Sequence, residues 1–217
     1  MRVFRRVLIA TALAAGSMAA MPSHAAADDM SLNLRLLMAA RAGDDAGVRR
    51  ALETGAVVDS RNRIGDTALI TACKHGSLTM ARTLIDHGAN VREADVAGVT
   101  PLMAAAYSGA DALVALLLAR GADPAATDRV GKTAMEYAAG EGQTAVVLRL
   151  VDAGLGVNRR YRNDLTALMW AAGYDREDTA KALLARGANA SLRDNRGMTA
   201  ADIAGQTHSI HVETLLR

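Results

Sequence analysis

The sequence predicts an all-α solenoid in which one helix-turn-helix unit is repeated along the chain. Glycines at turns, threonines before helices and leucines inside helices each recur every 33 residues, and the three series share one phase. Unrelated helices would not keep turn and core residues in register, so the pattern indicates stacked copies of a single supersecondary unit. The series are Gly65, Gly98, Gly131, Asp164 and Gly197; Thr67, Thr100, Thr133, Thr166 and Thr199; and Leu84, Leu117, Leu150, Leu183 and Leu216.

The first 25 residues are predicted to be a secretory signal peptide rather than part of the solenoid. Three arginines among the first six residues precede an apolar run at 7–21, which is too short to span a bilayer comfortably. Small residues then form a cleavage site, with cleavage after Ala25 or Ala27. A single-pass membrane anchor is the alternative. The bias toward alanine and arginine favours a bacterial protein, exported through the Sec pathway to the periplasm.

A short N-terminal linker is expected at residues 26–31, followed by a repeat domain at 32–217. The opening copy is degenerate: Leu36, Gly43 and Leu52 fall in phase, but its turn-rich loop is missing. Six copies are expected. They cover about 32–61, 62–94, 95–127, 128–160, 161–193 and 194–217.

The clearest copy shows why each element forms. Thr100 is a good N-cap, and Pro101 suits the first helical position because its missing N–H is not needed there. Gly109 ends the first helix, and a second helix follows with leucines on one face. Gly121 ends that helix in the left-handed conformation. Each copy is therefore two short helices and a turn-rich loop, the finger.

These residues resemble the ankyrin repeat, whose pattern Thr-Pro-Leu-His-x-Ala is approximated at 67–72, 100–105, 133–138, 166–171 and 199–204. The resemblance implies a solenoid with β-hairpin-like fingers and a protein-binding concave face made of the fingers and the first helices. The histidine of the family pattern is replaced in every copy, and we expect this to alter local stability rather than function. The replacements are Ile70, Met103, Glu136, Met169 and Asp202.

Charge and composition argue against nucleic-acid binding. The chain has 25 Lys and Arg against 23 Asp and Glu, and three of the arginines lie in the predicted leader. The mature protein is therefore nearly neutral. The full chain has one Phe, one Trp and few Tyr, so it lacks the aromatic platform that single strands stack on.

No constellation of residues points to catalysis or to a cofactor. Cys73 is the only cysteine, which excludes an intramolecular disulfide and favours a small buried hydrophobe over a redox thiol. His208 and His211 are the one pair with a spacing that could hold a metal, and only Glu213 is a further side chain in ligand spacing. Glu136 and Asp202 are interpreted as helix caps. We therefore predict that the protein is not an enzyme.

Recognition is the function that the residues favour. Arg and Tyr are the residue types that most often anchor interfaces. Arg63, Arg129, Arg162 and Arg196 are expected to line one edge and to attract an acidic partner. The candidate partner-binding residues on the concave face are Arg61, Arg63, Lys74, His75, Tyr107, Arg129, Lys132, Arg160, Arg162, Tyr174, Arg193 and Arg196.

The sequence thus predicts a monomeric, non-catalytic periplasmic scaffold that binds a protein partner, with no nucleic acid and no membrane anchor after leader cleavage. One alternative is a ligand- or metal-binding envelope stress protein that uses His208, His211 or Cys73. A second alternative is an effector exported beyond the envelope to act on a host protein.

Overall fold

The computed structural model describes residues 24–217, and the side chains of residues 31–217. This part of the chain contains twelve α-helices and one short 3-10 helix at Arg162–Asp164. None of the helices described is both long and apolar enough to cross a membrane. The α-helices are α1 His24–Ala42, α2 Asp45–Glu53, α3 Ala68–Lys74, α4 Leu78–Asp86, α5 Pro101–Ser108, α6 Asp111–Ala119, α7 Ala134–Glu141, α8 Thr144–Asp152, α9 Ala167–Gly173, α10 Glu177–Ala185, α11 Ala200–Thr207 and α12 Ile210–Leu216.

The helices form two layers. The odd-numbered helices pack on one another in chain order, from α1 to α11, and make the inner layer. Each even-numbered helix packs on the odd-numbered helix before it and on its even-numbered neighbours, which makes the outer layer. The predicted all-α repeat solenoid is therefore confirmed, and it is built from six helical pairs.

The N-terminal end of the solenoid differs from the expectation. Residues 26–31, predicted to be a linker, belong to α1, which is continuous from His24. Helix α1 as a whole is rich in alanine, leucine and methionine and contains no Gly or Pro that would end it. Residues 1–23 of the predicted signal peptide lie outside the described part of the chain, so the leader stays a prediction.

Threonine starts the inner helices, as the sequence indicates. The hydroxyl of Thr100 accepts a hydrogen bond from the backbone N–H of Met103 at 3.3 Å, and the threonines before α3, α9 and α11 do the same. Before α7, the N–H of Thr133 donates to the Glu136 carboxylate at 2.7 Å, so Glu136 caps this helix. These contacts satisfy backbone donors that a helix cannot satisfy itself.

The core is a strip between the two layers. Leu84, Leu117, Leu150 and Leu183 are fully buried and form the leucine ladder that the 33-residue interval predicts. Small residues occupy the positions where inner helices approach closely. Cys73 is one of them: its side chain is fully buried, and burial raises the pKa of its thiol. A buried protonated thiol behaves as a small hydrophobe.

The fingers are the loops that precede α3, α5, α7, α9 and α11, numbered one to five. The β-hairpins expected here are absent, because no strand occurs among residues 24–217. A side chain closes each loop instead: the Asp95 carboxylate accepts the N–H of Ala97 at 2.8 Å and that of Val99 at 2.9 Å. Asn62, Asp128 and Asp194 make the same two contacts in fingers one, three and five.

Finger four is the exception, and its sequence explains why. Tyr161 stands where the other fingers have Asn or Asp, and Asp164 stands where they have Gly. The chain therefore forms the 3-10 helix, with Asn163 at φ 60° and Asp164 at φ 61°. Asn and Asp tolerate this left-handed conformation better than other non-glycine residues.

Candidate binding surface

The finger arginines differ in what they contact. Arg61 donates to the carbonyl of Ala94 at 2.7 Å, one repeat further along the chain, and pairs with Glu93. Arg160 donates to the carbonyl of Arg193 at 3.0 Å in the same way. These two predicted site residues therefore tie neighbouring fingers together, although their charges stay at the surface.

Three more arginines are also held by the fingers. Arg162 donates to the carbonyl of Val130, which replaces the backbone hydrogen bond that joins the other neighbouring fingers. Arg193 donates to the carbonyl of Gly197 at 2.6 Å. Arg196 turns back onto Asp194 and donates to its carboxylate at 2.7 Å.

The predicted arginine row is therefore wrong at its last member. Arg63, Arg129 and Arg162 share one position in their fingers, but the equivalent position in finger five is Asn195, and Arg196 lies one residue beyond it. The charge of Arg196 is neutralised by the carboxylate of Asp194, which is a buried residue. Arg63 and Arg129 are exposed, and no carboxylate of residues 31–217 pairs with either of them.

The middle of the inner layer carries a cluster of aromatic rings around one ammonium group. The Lys132 Nζ lies 4.7 Å from the centre of the Trp170 ring and 5.6 Å from that of Tyr137. Tyr174 stacks on Trp170 at 6.0 Å, and Tyr107 meets Tyr137 edge to face at 6.2 Å. We call these five residues the central aromatic site.

The fold fixes this site through Asp128 of finger three. One carboxylate oxygen of Asp128 accepts the backbone N–H of Lys132 at 2.8 Å, and the other accepts the Tyr137 hydroxyl at 2.6 Å. Burial and this hydrogen bond raise the pKa of Tyr137, so its hydroxyl stays a donor. Gly140 lies beneath the Tyr174 ring, and a Cβ added there would make ordinary van der Waals contact with the ring at 3.6 Å.

Lys74 and His75 lie nearer the N-terminal end of the inner layer. The Lys74 ammonium is 2.7 Å from the buried Asp66 carboxylate and 3.9 Å from that of Asp95, so its charge is compensated within the protein. His75 ends α3 and is exposed. These two predicted residues are therefore on the same face as the central aromatic site but not part of it.

Sequence reasoning identified Tyr107, Lys132 and Tyr174 but missed Tyr137 and Trp170. The missed pair has a signal in the sequence, because the two aromatic residues are 33 residues apart and occupy the same position in successive inner helices. Thr71 and Ala104 occupy the same position in α3 and α5.

The two histidines at the C-terminal end lie in different elements, His208 at the end of α11 and His211 within α12. His208 ends α11 in the left-handed conformation at φ 56°, and the Nδ1 of His211 lies 2.6 Å from the Asp175 carboxylate. In the described part of the chain, no group of three or more His, Cys, Asp or Glu residues could hold a metal ion.

Comparison with known proteins adds one finding. A family model described as ankyrin repeats, in three copies, matches residues 36–128 and again residues 135–217. The two matches together cover most of the chain. No curated protein matches the sequence.

Proposed function

Because this chain belongs to the ankyrin-repeat family, a family of protein-interaction scaffolds, we propose that it is a non-catalytic binding protein that holds an acidic polypeptide on its concave face. The observation that carries this proposal is the central aromatic site. It presents the Lys132 ammonium between two aromatic rings, and no carboxylate of residues 31–217 pairs with it.

The geometry of Lys132 favours a carboxylate ligand. Ring faces attract the ammonium and hold it in place, with an energy of about 0.5–2 kcal/mol for each contact. A lysine ammonium has three donors, and aromatic faces leave them available. A partner carboxylate would therefore meet a cation that is already positioned, which reduces the entropy lost on binding.

The flanking tyrosines supply the contact area. Tyr107 and Tyr174 are about half exposed, at 54% and 50%, although both lie in the inner layer. Tyrosine buries a large rigid surface and keeps a polar end, which is why it is common among residues that dominate binding energy. The site thus combines a fixed charge with apolar walls, as an acidic peptide segment requires.

The exposed arginines of the fingers extend the positive surface beyond this site. No carboxylate of residues 31–217 pairs with Arg63 or Arg129, and Arg162 stays exposed while it binds a backbone carbonyl, whereas the charges of Arg61 and Arg160 are offset by Glu93 and Asp164. On a nearly neutral mature protein, such a stripe attracts an acidic partner during encounter. The finger arginines therefore raise the association rate of the partner, and the central aromatic site slows its dissociation.

The binding proposal is tested by reversing one charge. We expect Lys132→Glu to lose the partners that the mature wild-type chain captures from a periplasmic extract, with affinity for any identified partner falling at least roughly tenfold. The matched control is Arg82→Glu, an exposed charge on α4 of the outer layer, which should retain them. Unchanged capture by Lys132→Glu would contradict the proposal.

The periplasmic address and the monomeric state are part of the same proposal. The address rests on the basic, apolar and small-residue segments of the leader. N-terminal sequencing of the protein from its native cell envelope should give Ala26 or Asp28 as the first residue. Material that still begins at Met1 would contradict cleavage and export.

A further inference from the structure

A second feature of the concave face is an apolar groove at its N-terminal end. Leu34, Leu37 and Met38 lie on one side of α1 at helical spacing, and Ile64 of finger one faces them across the opening. The groove has a volume of about 890 Å³. Leu34, Met38 and Ile64 are each more than half exposed. We call these four residues the N-terminal groove.

The groove exists because α1 departs from the repeat pattern. It is 19 residues long, whereas the later inner helices have seven or eight. Leu34 occupies the phase position of Thr67, which caps the next inner helix. The N-terminal turns of α1 thus lie at sequence positions that form a finger in the later repeats, and they carry leucine there instead of a polar turn.

The rim of the groove is positively charged. Arg41 and Arg63 line it, and no carboxylate of residues 31–217 pairs with either arginine. The one acid that lines the groove, Asp66, is buried and neutralised by Lys74. An apolar floor with a cationic rim matches a segment in which large apolar side chains are flanked by carboxylates.

Small side chains line the surface between the N-terminal groove and the central aromatic site. Met38, Thr71, Ala104, Tyr137 and Trp170 occupy one position in five successive inner helices. Large side chains stand at the two ends of this row, and small ones stand between them. Nothing in the row obstructs a continuous chain that passes from α1 to α7.

We propose that the N-terminal groove binds the apolar part of the same acidic polypeptide that places a carboxylate on Lys132. This inference rests on the proposed function, because it extends the ligand of the central aromatic site. Three helix spacings of about 8–10 Å separate α1 from α7. An extended chain advances about 3.3 Å per residue, so roughly eight residues join the two anchors. Linking the two contacts raises the overall affinity beyond that of either alone.

The test uses random peptides, displayed on phage and long enough to reach both sites, selected on the mature wild-type chain. We expect the enriched peptides to combine two large apolar residues beside Asp or Glu with a further acidic residue roughly eight positions away. A fluorescent synthetic copy of the enriched sequence is then titrated with purified variants.

Ile64→Asn should weaken binding of this peptide at least roughly tenfold. The matched control is Val130→Asn, because Val130 occupies the same position in finger three and is exposed to a similar extent, 54% against 59%. It should bind within about twofold of the wild type. Met38→Gln is the second groove variant, and circular dichroism melts show that each variant is folded.

A shortened peptide that keeps only the apolar half separates this inference from the proposed function. It should bind Lys132→Glu as it binds the wild type and should bind Ile64→Asn poorly. If no peptide is enriched, if the enriched peptides lack apolar residues, or if both groove variants bind normally, the inference is wrong. It is also wrong if wild type self-associates in sedimentation experiments and Ile64→Asn does not, because the groove would then hold a second copy.

Discussion

Glu136 caps α7 with a carboxyl group whose burial is energetically costly. Its side chain is buried, one carboxylate oxygen caps α7, and the other has no hydrogen-bond partner among residues 31–217. Burial raises the pKa of this carboxyl group above its ordinary value of 4.5. A raised carboxyl pKa means that the contribution to stability is complete below the unfolded pKa and is lost as the pH rises through the folded pKa.

We therefore expect Glu136→Gln to be more stable than wild type at pH 7, by about 1 kcal/mol. Glutamine can still accept the Thr133 N–H, as in other capping boxes, and it carries no buried charge. Urea unfolding at pH 7 and at pH 4 measures the effect, and the difference should shrink at the lower pH. A variant that is less stable than wild type at pH 7 would show that the charge of Glu136 is needed.

The roles of some residues could be predicted from the sequence, and the roles of others could not. The capping threonines, Glu136 and the buried Cys73 follow from local patterns and from the repeat interval. The arginines of the fingers do not, because an exposed arginine and one that binds the carbonyl of the next repeat have the same sequence signal. Which carbonyl lies within reach is decided only when the repeats stack.

The last helix, α12, is attached to the rest of the solenoid through the turn before α10. The Asp175 carboxylate accepts the backbone N–H of Val212 at 3.0 Å and contacts the His211 ring at 2.6 Å. The His211 hydrogen bond and charge lower the pKa of Asp175, and Asp175 raises that of His211. One side chain therefore acts as the N-terminal cap of the last helix and as the partner of a titratable group.

The pH dependence of this attachment follows from the two shifts. The His211 contribution is complete below its ordinary pKa of 6.5 and is lost as the pH rises through its raised folded value. The Asp175 contribution is complete above its ordinary pKa of 3.8 and is lost as the pH falls through its lowered folded value. Protection of the α12 amides from hydrogen exchange, corrected for intrinsic rates, should fall as the pH rises above neutrality.

His211→Gln supplies the control, because it removes the titrating ring and leaves the Asp175 cap of Val212 in place. It should lose the alkaline part of the pH dependence. Equal corrected exchange of α12 across neutral pH in the wild-type protein would contradict this account.

The elements also show where sequence reasoning stops. Helix starts and ends follow from threonine and glycine, and the leucine ladder follows from the interval. The fingers were expected to be hairpins, but the Asx contacts of Asn62, Asp95, Asp128 and Asp194 close them without strands. These four residues occupy the same position in their repeats, so the sequence indicated that they share a role. It did not indicate that each side chain accepts two backbone N–H groups and closes its loop. Tyr137 and Trp170 also share one repeat position, but this position alone does not predict that the Lys132 ammonium lies over both rings.

For the whole molecule, charge and shape have separate roles. No carboxylate of residues 31–217 pairs with Arg63, Arg129 or Lys132, and the N-terminal groove and the central aromatic site lie at the two ends of a row of small side chains. Exposed charges contribute little to stability. They act on the approach of a charged partner, over a range set by the ionic strength.

We expect the double variant Arg63→Glu, Arg129→Glu to unfold within about 1 kcal/mol of the parent. It should associate more slowly with a captured partner and show a weaker dependence of the association rate on salt, because the reversal removes two charges that attract an acidic partner. Both reversed charges lie outside the central aromatic site. Surface plasmon resonance at several salt concentrations measures both effects. Equal rates at every salt concentration would mean that the finger charges do not steer the partner.

Trp170 is a fluorescent reporter of the central aromatic site in the unmodified protein, because it belongs to this site and is the only tryptophan in the chain. Its fluorescence is measured during titration with the captured acidic partner, together with iodide quenching of its emission. Occupation of the site should shift the emission of Trp170 and reduce its quenching in proportion to the bound fraction, and Lys132→Glu should abolish both changes. A partner that binds fully by an independent method and leaves the emission and quenching of Trp170 unchanged would contradict the assignment of the concave aromatic site as the binding surface.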